Sequence, residues 1–398
     1  MKLYFKDQTF SFELLRAVSY AGYQGAEIGE CLATAATIKE GDFNSWFEQW
    51  EKTANRVERI GQKCLSTGHI VSGREALLRA SNYYRTAEFF LEPADSRRDE
   101  NYKKSINTFQ TAMAEMDFYN EIVKIPYENS YMSGYFYRAS NYNKDNQTCP
   151  TLIFIGGFDS TAEELYFCGA AAAIKRGYNC LIFDGPGQGE TLRIQKIPTR
   201  VDYEVPVGAA IDYLESRSDI DMNKIALMGM SMGGYYAPRA AAFEKRIKAC
   251  IAYDVVYDLW STTANQNPEV KKLEGCSPEM IERMMEFAVK NNSNLRWEFQ
   301  NALWVFGLKQ RNEIPETLKR YTLKGIADKI ECPLLILVGE ADQFISPEQV
   351  DKLDDELKCS RTIRMFTHEE GAEEHCQEGN HALFHQVMFD WLDDIFSV

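Results

Sequence analysis

Lys224-Ile-Ala-Leu-Met-Gly-Met-Ser-Met-Gly-Gly-Tyr-Tyr-Ala237 decides how the rest of this chain is read. An apolar run, Ile225 to Met228, ends in Gly229-Met-Ser231-Met-Gly233, and an alanine-rich helical pattern follows. A serine between two glycines, placed after a strand and before a helix, is the setting of a nucleophile elbow. The turn is so tight that the serine backbone is strained, and its hydroxyl stands clear of the sheet. The plain alternative is a glycine-rich turn between a strand and a helix. What separates the two is whether the partners of a serine nucleophile lie downstream.

A serine hydroxyl needs a base within hydrogen-bond reach, and that base needs an orienting carboxylate. On this kind of sheet they follow the serine in the order acid, then histidine. There are only five histidines. His69 precedes the serine, and His381 and His385 fall on the final helical pattern. His368 and His375 both follow the last strand, and Glu370-Gly-Ala-Glu-Glu-His375-Cys-Gln-Glu-Gly is a polar turn able to project a side chain to the elbow, which favours His375. For the acid, Asp342 closes Leu334-Leu-Ile-Leu-Val-Gly-Glu-Ala-Asp342, with Glu340 as its rival and a loop carboxylate capping the next helix as the bland reading of either. The oxyanion formed on attack calls for backbone N–H donors. Met232 offers one, and the loop Gly156-Gly157-Phe158-Asp159 offers the other through Gly157 or Phe158. Asp159 is out of place beside a developing negative charge. It either turns away to cap the helix beginning near Thr161 or acts as a second acid/base.

Outward from the elbow, strands and helices alternate. The strands are read at Thr151–Ile155, Asn179–Phe183, Lys224–Met228, Ile247–Ala252, Pro333–Val338 and Arg361–Phe366. Helices are read at Thr161–Arg176, Val201–Ser216, Gly233–Phe243, Pro347–Lys358 and His381–Phe396. Such alternation predicts an α/β class, a doubly wound and mostly parallel sheet covered on both faces, with ligands at the carboxyl ends of its strands. Glu121–Pro126 and Tyr131–Tyr137 read as a preceding hairpin, followed by a polar loop from Asn141 to Cys149. Between about 259 and 329 only helical signals occur, which predicts a lid over the site. Asp184-Gly-Pro-Gly-Gln-Gly-Glu190 misses the dinucleotide fingerprint and reads as a tight loop at a strand end; no cofactor and no metal are implied.

Before about residue 119 the pattern is helical. Trp46, Trp50, Ala54, Val57 and Gly61 share one face. Ser72-Gly-Arg-Glu75 reads as a capping box opening a second helix, and Tyr102, Ile106, Phe109, Met113 and Met116 mark a third. Residues 1 to about 42 read only as short helices near Phe10–Tyr20 and Cys31–Ile38. The expected organisation is a helical cap over 1–118 and an α/β core over 119–398 with the lid inside it.

Across 398 residues, 45% hydrophobic and 26% charged content is ordinary for a globular chain, and the net charge of −15 argues against nucleic acid or an anionic membrane as partner. No 18-residue apolar run and no apolar leader core occur, so the expected location is cytoplasmic. Ten scattered cysteines without a Cys-x-x-Cys pair are expected to be reduced and mostly buried.

Gly157-Phe-Asp-Ser-Thr-Ala-Glu-Glu164, Asp184-Gly-Pro-Gly-Gln-Gly189, Gly229-Met-Ser-Met-Gly-Gly-Tyr-Tyr-Ala-Pro-Arg239 and Ala372-Glu-Glu-His-Cys376 together resemble one branch of the α/β-hydrolase superfamily. That branch holds the 2,6-dihydroxypseudooxynicotine hydrolase, the fungal hydrolases that shorten heptaketide naphthopyrones, and relatives of the fermentation–respiration switch protein. Trp46-Phe-Glu-Gln-Trp50 and Arg79-Ala-Ser-Asn-Tyr-Tyr84 resemble the helical cap of the branch. The resemblance implies the α/β-hydrolase fold and a triad on Ser231, Asp342 and His375. It also implies a functional acid at Asp159, where the pseudooxynicotine enzyme has a glutamate, and a homodimer. Several members cleave a carbon–carbon bond beside a carbonyl, which implies attack of Ser231 on a ketone, expulsion of a stabilised carbanion and hydrolysis of an acyl-enzyme. The rivals are an ester, thioester or amide hydrolase on the same triad, and non-hydrolytic acyl transfer, cyclisation or regulatory binding on the same scaffold. Trp297, Trp304 and Phe306 in the lid, with Tyr235 after the elbow, are candidates to line a pocket for a small apolar or aromatic carbonyl substrate.

Overall fold

The computed structural model describes residues 1–141 and 149–397. Apart from its two ends, the polar loop expected at Asn141–Cys149 lies outside the described residues. Eight strands form one sheet: β1 (Asn120–Tyr127), β2 (Ser130–Tyr137), β3 (Thr151–Ile155), β4 (Asn179–Phe183), β5 (Ile225–Met230), β6 (Ala249–Tyr253), β7 (Leu334–Gly339) and β8 (Arg361–Phe366). Their order is β1-β2-β4-β3-β5-β6-β7-β8. The β1–β2 hairpin joins antiparallel, and β3 to β8 run parallel. Strands β3 to β7 are buried at every position. Sheets covered on both faces have strands that are apolar runs without alternation, and so these five were legible as runs. β8 differs: it is an edge strand, and only Phe366 is fully buried.

One face of the sheet packs against helices Glu204–Glu215 and Gly233–Phe243. The other carries Ala162–Lys175, which widens into a π-turn at Tyr166–Ala170, and the final helix His381–Phe396. The helical layer expected before residue 119 consists of Phe43–Ser66, Ile70–Glu88 and Ser96–Ala114, preceded by Gln8–Ser19 and Ile28–Ala35. The expected capping box at Ser72–Glu75 does not form. Helix Ile70–Glu88 starts three residues earlier, with His69 rather than Ser72 at its N-cap position, and no side chain caps it. Between β6 and β7 lie the helices Leu259–Gln266, Pro268–Lys271, Pro278–Asn291, Ser293–Val305 and Ile314–Leu318.

These helices are joined to the N-terminal layer by specific contacts. The Trp297 indole N–H donates to the Phe89 carbonyl at 3.0 Å, and its ring stacks on Phe89 at 4.6 Å. Glu88 accepts from both Arg98 and Arg193, whose guanidinium groups lie over the Trp304 ring. All ten cysteines are free thiols; five are fully buried and five half-buried, fewer than expected. Among the described residues no helix is long and apolar enough to cross a membrane.

Candidate active site

β5 runs two residues past the expected end because its ladder with β6 continues through Met230, and Ser231 follows at once. Ser231 has a φ of 61°, the left-handed backbone expected of an elbow. The motif's first glycine is sterically required: a Cβ on Gly229 would stand 2.0 Å from the Gly233 carbonyl oxygen.

His375 Nε2 lies 2.8 Å from Ser231 Oγ, and His375 Nδ1 lies 2.6 Å from Asp342 Oδ2. With Nδ1–H donated to the carboxylate, Nε2 is left to accept the serine hydroxyl. The other oxygen of Asp342 accepts the N–H groups of Phe344 and Ile345 at 2.7 and 2.9 Å, which fixes its rotamer. Burial lifts the Asp342 carboxyl to about 6, against the lowering effect of His375. For His375 burial works the other way and opposes protonation, but its carboxylate neighbours win and hold the imidazole well above its ordinary value. The rivals separate cleanly. His368 is 76% exposed and pairs with Glu373, while Glu340 accepts the His368 N–H. His385 meets the Cys168 carbonyl, and His381 pairs with Glu378.

Of the oxyanion candidates, Gly157 donates its N–H to Ser160 Oγ at 3.1 Å, so that donor is already engaged. Gly157 matters instead for closeness, since a Cβ there would stand 2.7 Å from Met230 O and 2.8 Å from Met232 N. Of the candidates named from the sequence, the N–H groups of Met232 and Phe158 remain. Gln188 holds this loop in place: its amide donates to the carbonyls of Gly156 and Gly157 at 2.6 and 3.2 Å. It comes from the glycine-rich loop after β4, which is bonded within itself by Gly185 N–H to Gln188 Oε1 at 3.1 Å. That supporting role was missed in the sequence.

Asp159 does not cap the following helix, because Thr161 does that. Its carboxylate meets Arg16 at 3.0 and 3.3 Å. Burial pushes the Asp159 carboxyl up, but Arg16 and Arg85 outweigh it and hold the group below its usual range. Both arginines also meet Glu164, at 2.8 and 3.1 Å, and both approach Glu13 at only 3.5 and 3.4 Å. Glu13 is the loosely bonded member of this buried group, and burial lifts it to about 7.

Ser231 opens into a cavity of about 200 Å³. Phe12, Glu13 and Arg16 of helix Gln8–Ser19 form one wall; Trp260, Val270, Met285, Trp297, Phe299 and Phe306 form another. Trp297 and Phe306 therefore stand where expected, whereas Trp304 and Tyr235 do not. Trp304 sits beneath the two arginines, and the Tyr235 hydroxyl donates to the Val201 carbonyl at 3.0 Å. Helix Gln8–Ser19 was not anticipated as a wall. Its signal is Glu13 and Arg16 set among Phe10, Phe12, Leu14, Leu15 and Ala17: charges three apart on a helix that is otherwise apolar all round must pair and face something polar. Asp254, Cys376 and His375 offer ligand atoms within 4.8 Å of one another, but both His375 nitrogens are committed to Ser231 and to carboxylates, so the trio reads as a hydrogen-bonded group.

Fold and elbow define an α/β hydrolase. Residues 166–398 match the prolyl oligopeptidase family, and the chain belongs to it. It is 33% identical to the hydrolase acrC of Aspergillus aculeatus, over 99% of this chain and 98% of that protein. It is 34% identical to the 20-hydroxy-prefusarin hydrolase FUS2 of Gibberella moniliformis, over 99% and 98%. The crystal structure of the 2,6-dihydroxy-pseudo-oxynicotine hydrolase shares the fold with a TM-score of 0.75 at 23% identity, covering 95% of each chain. The resemblance stated from the sequence is thus borne out, and the protein is a hydrolase.

Proposed function

We propose that this protein is a serine hydrolase that cleaves a carbon–carbon bond next to a ketone in an apolar or aromatic substrate, through an acyl-enzyme. The observation that carries the reading is the relay Ser231–His375–Asp342, at 2.8 and 2.6 Å, beneath a cavity walled by aromatic side chains. Ser231 Oγ attacks the carbonyl while its proton passes to His375 Nε2, and the N–H groups of Met232 and Phe158 receive the oxyanion. Collapse expels a carbanion, which takes the proton held by His375, directly or relayed through Glu13, and leaves the imidazole neutral. Water, deprotonated by His375, then adds to the acyl-enzyme and frees Ser231 with release of a carboxylic acid.

The carbanion is what distinguishes this chemistry from ester hydrolysis, since it needs a proton donor at carbon. Asp159, held ionised by Arg16, is poorly suited to that task. Glu13 lines the same cavity with a carboxyl near 7, and together with imidazolium His375 it is the better donor.

The test begins with intact mass after fluorophosphonate treatment of the wild type, Ser231→Ala and His375→Ala. One adduct on the wild type, lost in both variants, is expected; a well-folded wild type without an adduct would sink the serine-hydrolase reading. β-Diketones and acyl-phenols are then compared with simple esters. Turnover of esters alone would move the assignment to an ester, thioester or amide hydrolase. Glu13→Gln is expected to slow carbon–carbon cleavage at least tenfold more than activated-ester hydrolysis, and equal slowing removes its role as proton donor.

A further inference from the structure

Asp254 follows β6 directly, and its side chain is fully buried. Its Oδ2 lies 3.4 Å from His375 Nδ1, the nitrogen that meets Asp342 at 2.6 Å. The same oxygen accepts the Cys376 N–H at 2.8 Å, and Oδ1 accepts the Gln377 amide at 3.0 Å. These hydrogen bonds from the turn bearing His375 are what compensate the burial of Asp254, since a buried carboxylate without such donors would be costly. The turn itself is unusual: Cys376 and Gln377 hold φ of 54° and 47°, and the Tyr253 hydroxyl donates to the Cys376 carbonyl.

We infer that His375 is served by two carboxylates rather than one, and that Asp254 is a positioning residue able to take over from Asp342 in orienting the imidazole and stabilising its charged form. The geometry permits this because a small rotation of the ring carries Nδ1–H from Asp342 to Oδ2 of a carboxylate already fixed by two donors, one on each oxygen. The pair follows the logic of carboxylates that share one proton: one is driven up and its neighbour down. The directions agree, for Asp342 rises while Asp254 is held below its ordinary range, burial being outweighed by His375. The groups facing His375 are Asp342 after β7, Asp254 after β6, the Ser231 hydroxyl, its neighbour Cys376 and, by charge, Asp159; the rings of Phe12 and Phe344 close the remaining sides.

The rival account is that Asp254 only fastens the 375–377 turn. Asp254→Asn separates the two, because an amide oxygen still accepts the Cys376 N–H while the charge is gone. The inference rests on the proposed roles of Ser231 and His375, so one readout is independent of activity: titration of the His375 imidazole C–H resonances by NMR in the Ser231→Ala background. Asp254→Asn is expected to lower that pKa by at least half a unit. The rate of fluorophosphonate labelling of Ser231 should then reach half its plateau at a pH lower by the same amount. Asp342→Asn is expected to retain labelling well above the roughly 10,000-fold loss typical when a lone triad acid is replaced, and the double variant to fall at least tenfold further. An unmoved imidazole pKa in Asp254→Asn overturns the inference, as does a double variant no worse than Asp342→Asn. Should Asp254→Asn not fold, Asp342→Asn decides alone: full loss with an imidazole titrating near 6.5 overturns it. Absence of any wild-type labelling would remove the serine-hydrolase reading while the titration still reports on the carboxylate pair.

Discussion

Gly229 and Gly157, beside Ser231, have no room for a side chain. Gly157 passes so close to the elbow that an alanine methyl would press on Met230 O and Met232 N, the latter a donor proposed for the oxyanion. Gly157→Ala is expected to lower kcat about 100-fold, the usual cost of disturbing one oxyanion donor. Burst amplitude measured beside the fluorophosphonate adduct would separate this from unfolding. Glu13 makes a different forecast, one about stability. Its folded carboxyl is raised from 4.5 to about 7 by burial, so the protonated form is the one the fold prefers. That preference costs nothing below about pH 4.5, grows as pH rises, and is complete above about 7, where it is on the order of 3 kcal/mol. Glu13→Gln should therefore melt above the wild type at pH 8 and level with it at pH 4.5. A gain at pH 4.5 as large as at pH 8 would refute the burial argument. Ser231, Asp342 and His375 were legible because each follows a strand in a fixed order. Asp254 was not, because it meets His375 only where the turn after β8 reaches back past β7 to the end of β6, which no local pattern records.

At the scale of elements, the seam between the lid helices and the N-terminal helices depends on Trp297. It contributes a hydrogen bond and a stacked ring on Phe89 as well as cavity wall. Trp297→Ala is expected to cost about 3–5 kcal/mol if the seam melts with the whole fold. It should raise KM more than it lowers kcat, and steady-state kinetics beside thermal melts would show a reversed split if the residue acted on the chemistry. The parallel strands could be read from sequence because burial on both faces writes itself as an unbroken apolar run. Helix Gln8–Ser19 could not be assigned a role for the complementary reason. It is buried all round, from Phe10 to Ala17, polar residues included, so no exposed face marks its role and its two charges look like noise until Asp159 and Glu164 are brought to them.

Across the whole molecule, the N-terminal helices are tied to the sheet through part of their core: Leu77, Leu78, Phe109 and Met113 pack in the same cluster as Phe154, Ile182 and Met228, while Trp46, Trp50 and Trp297 pack in a cluster of their own. Layers joined this way are expected to unfold together. Far-ultraviolet circular dichroism and tryptophan fluorescence should give coincident denaturant transitions, since four of the six tryptophans lie in the cap and lid helices Phe43–Ser66 and Ser293–Val305; a separate early fluorescence transition would show that the layers come apart. The walls of the cavity carry one more consequence. Glu13, Arg16 and Asp159, joined to one another, gather charge at one place in its lining, beside apolar side chains such as Val270, Met285 and Phe299. Under the proposed mechanism, an unsymmetrical substrate is held one way round by that charge, which selects the half tethered to Ser231 and the half that departs first. Regiochemistry would then be set largely by a helix that contributes nothing to the relay itself.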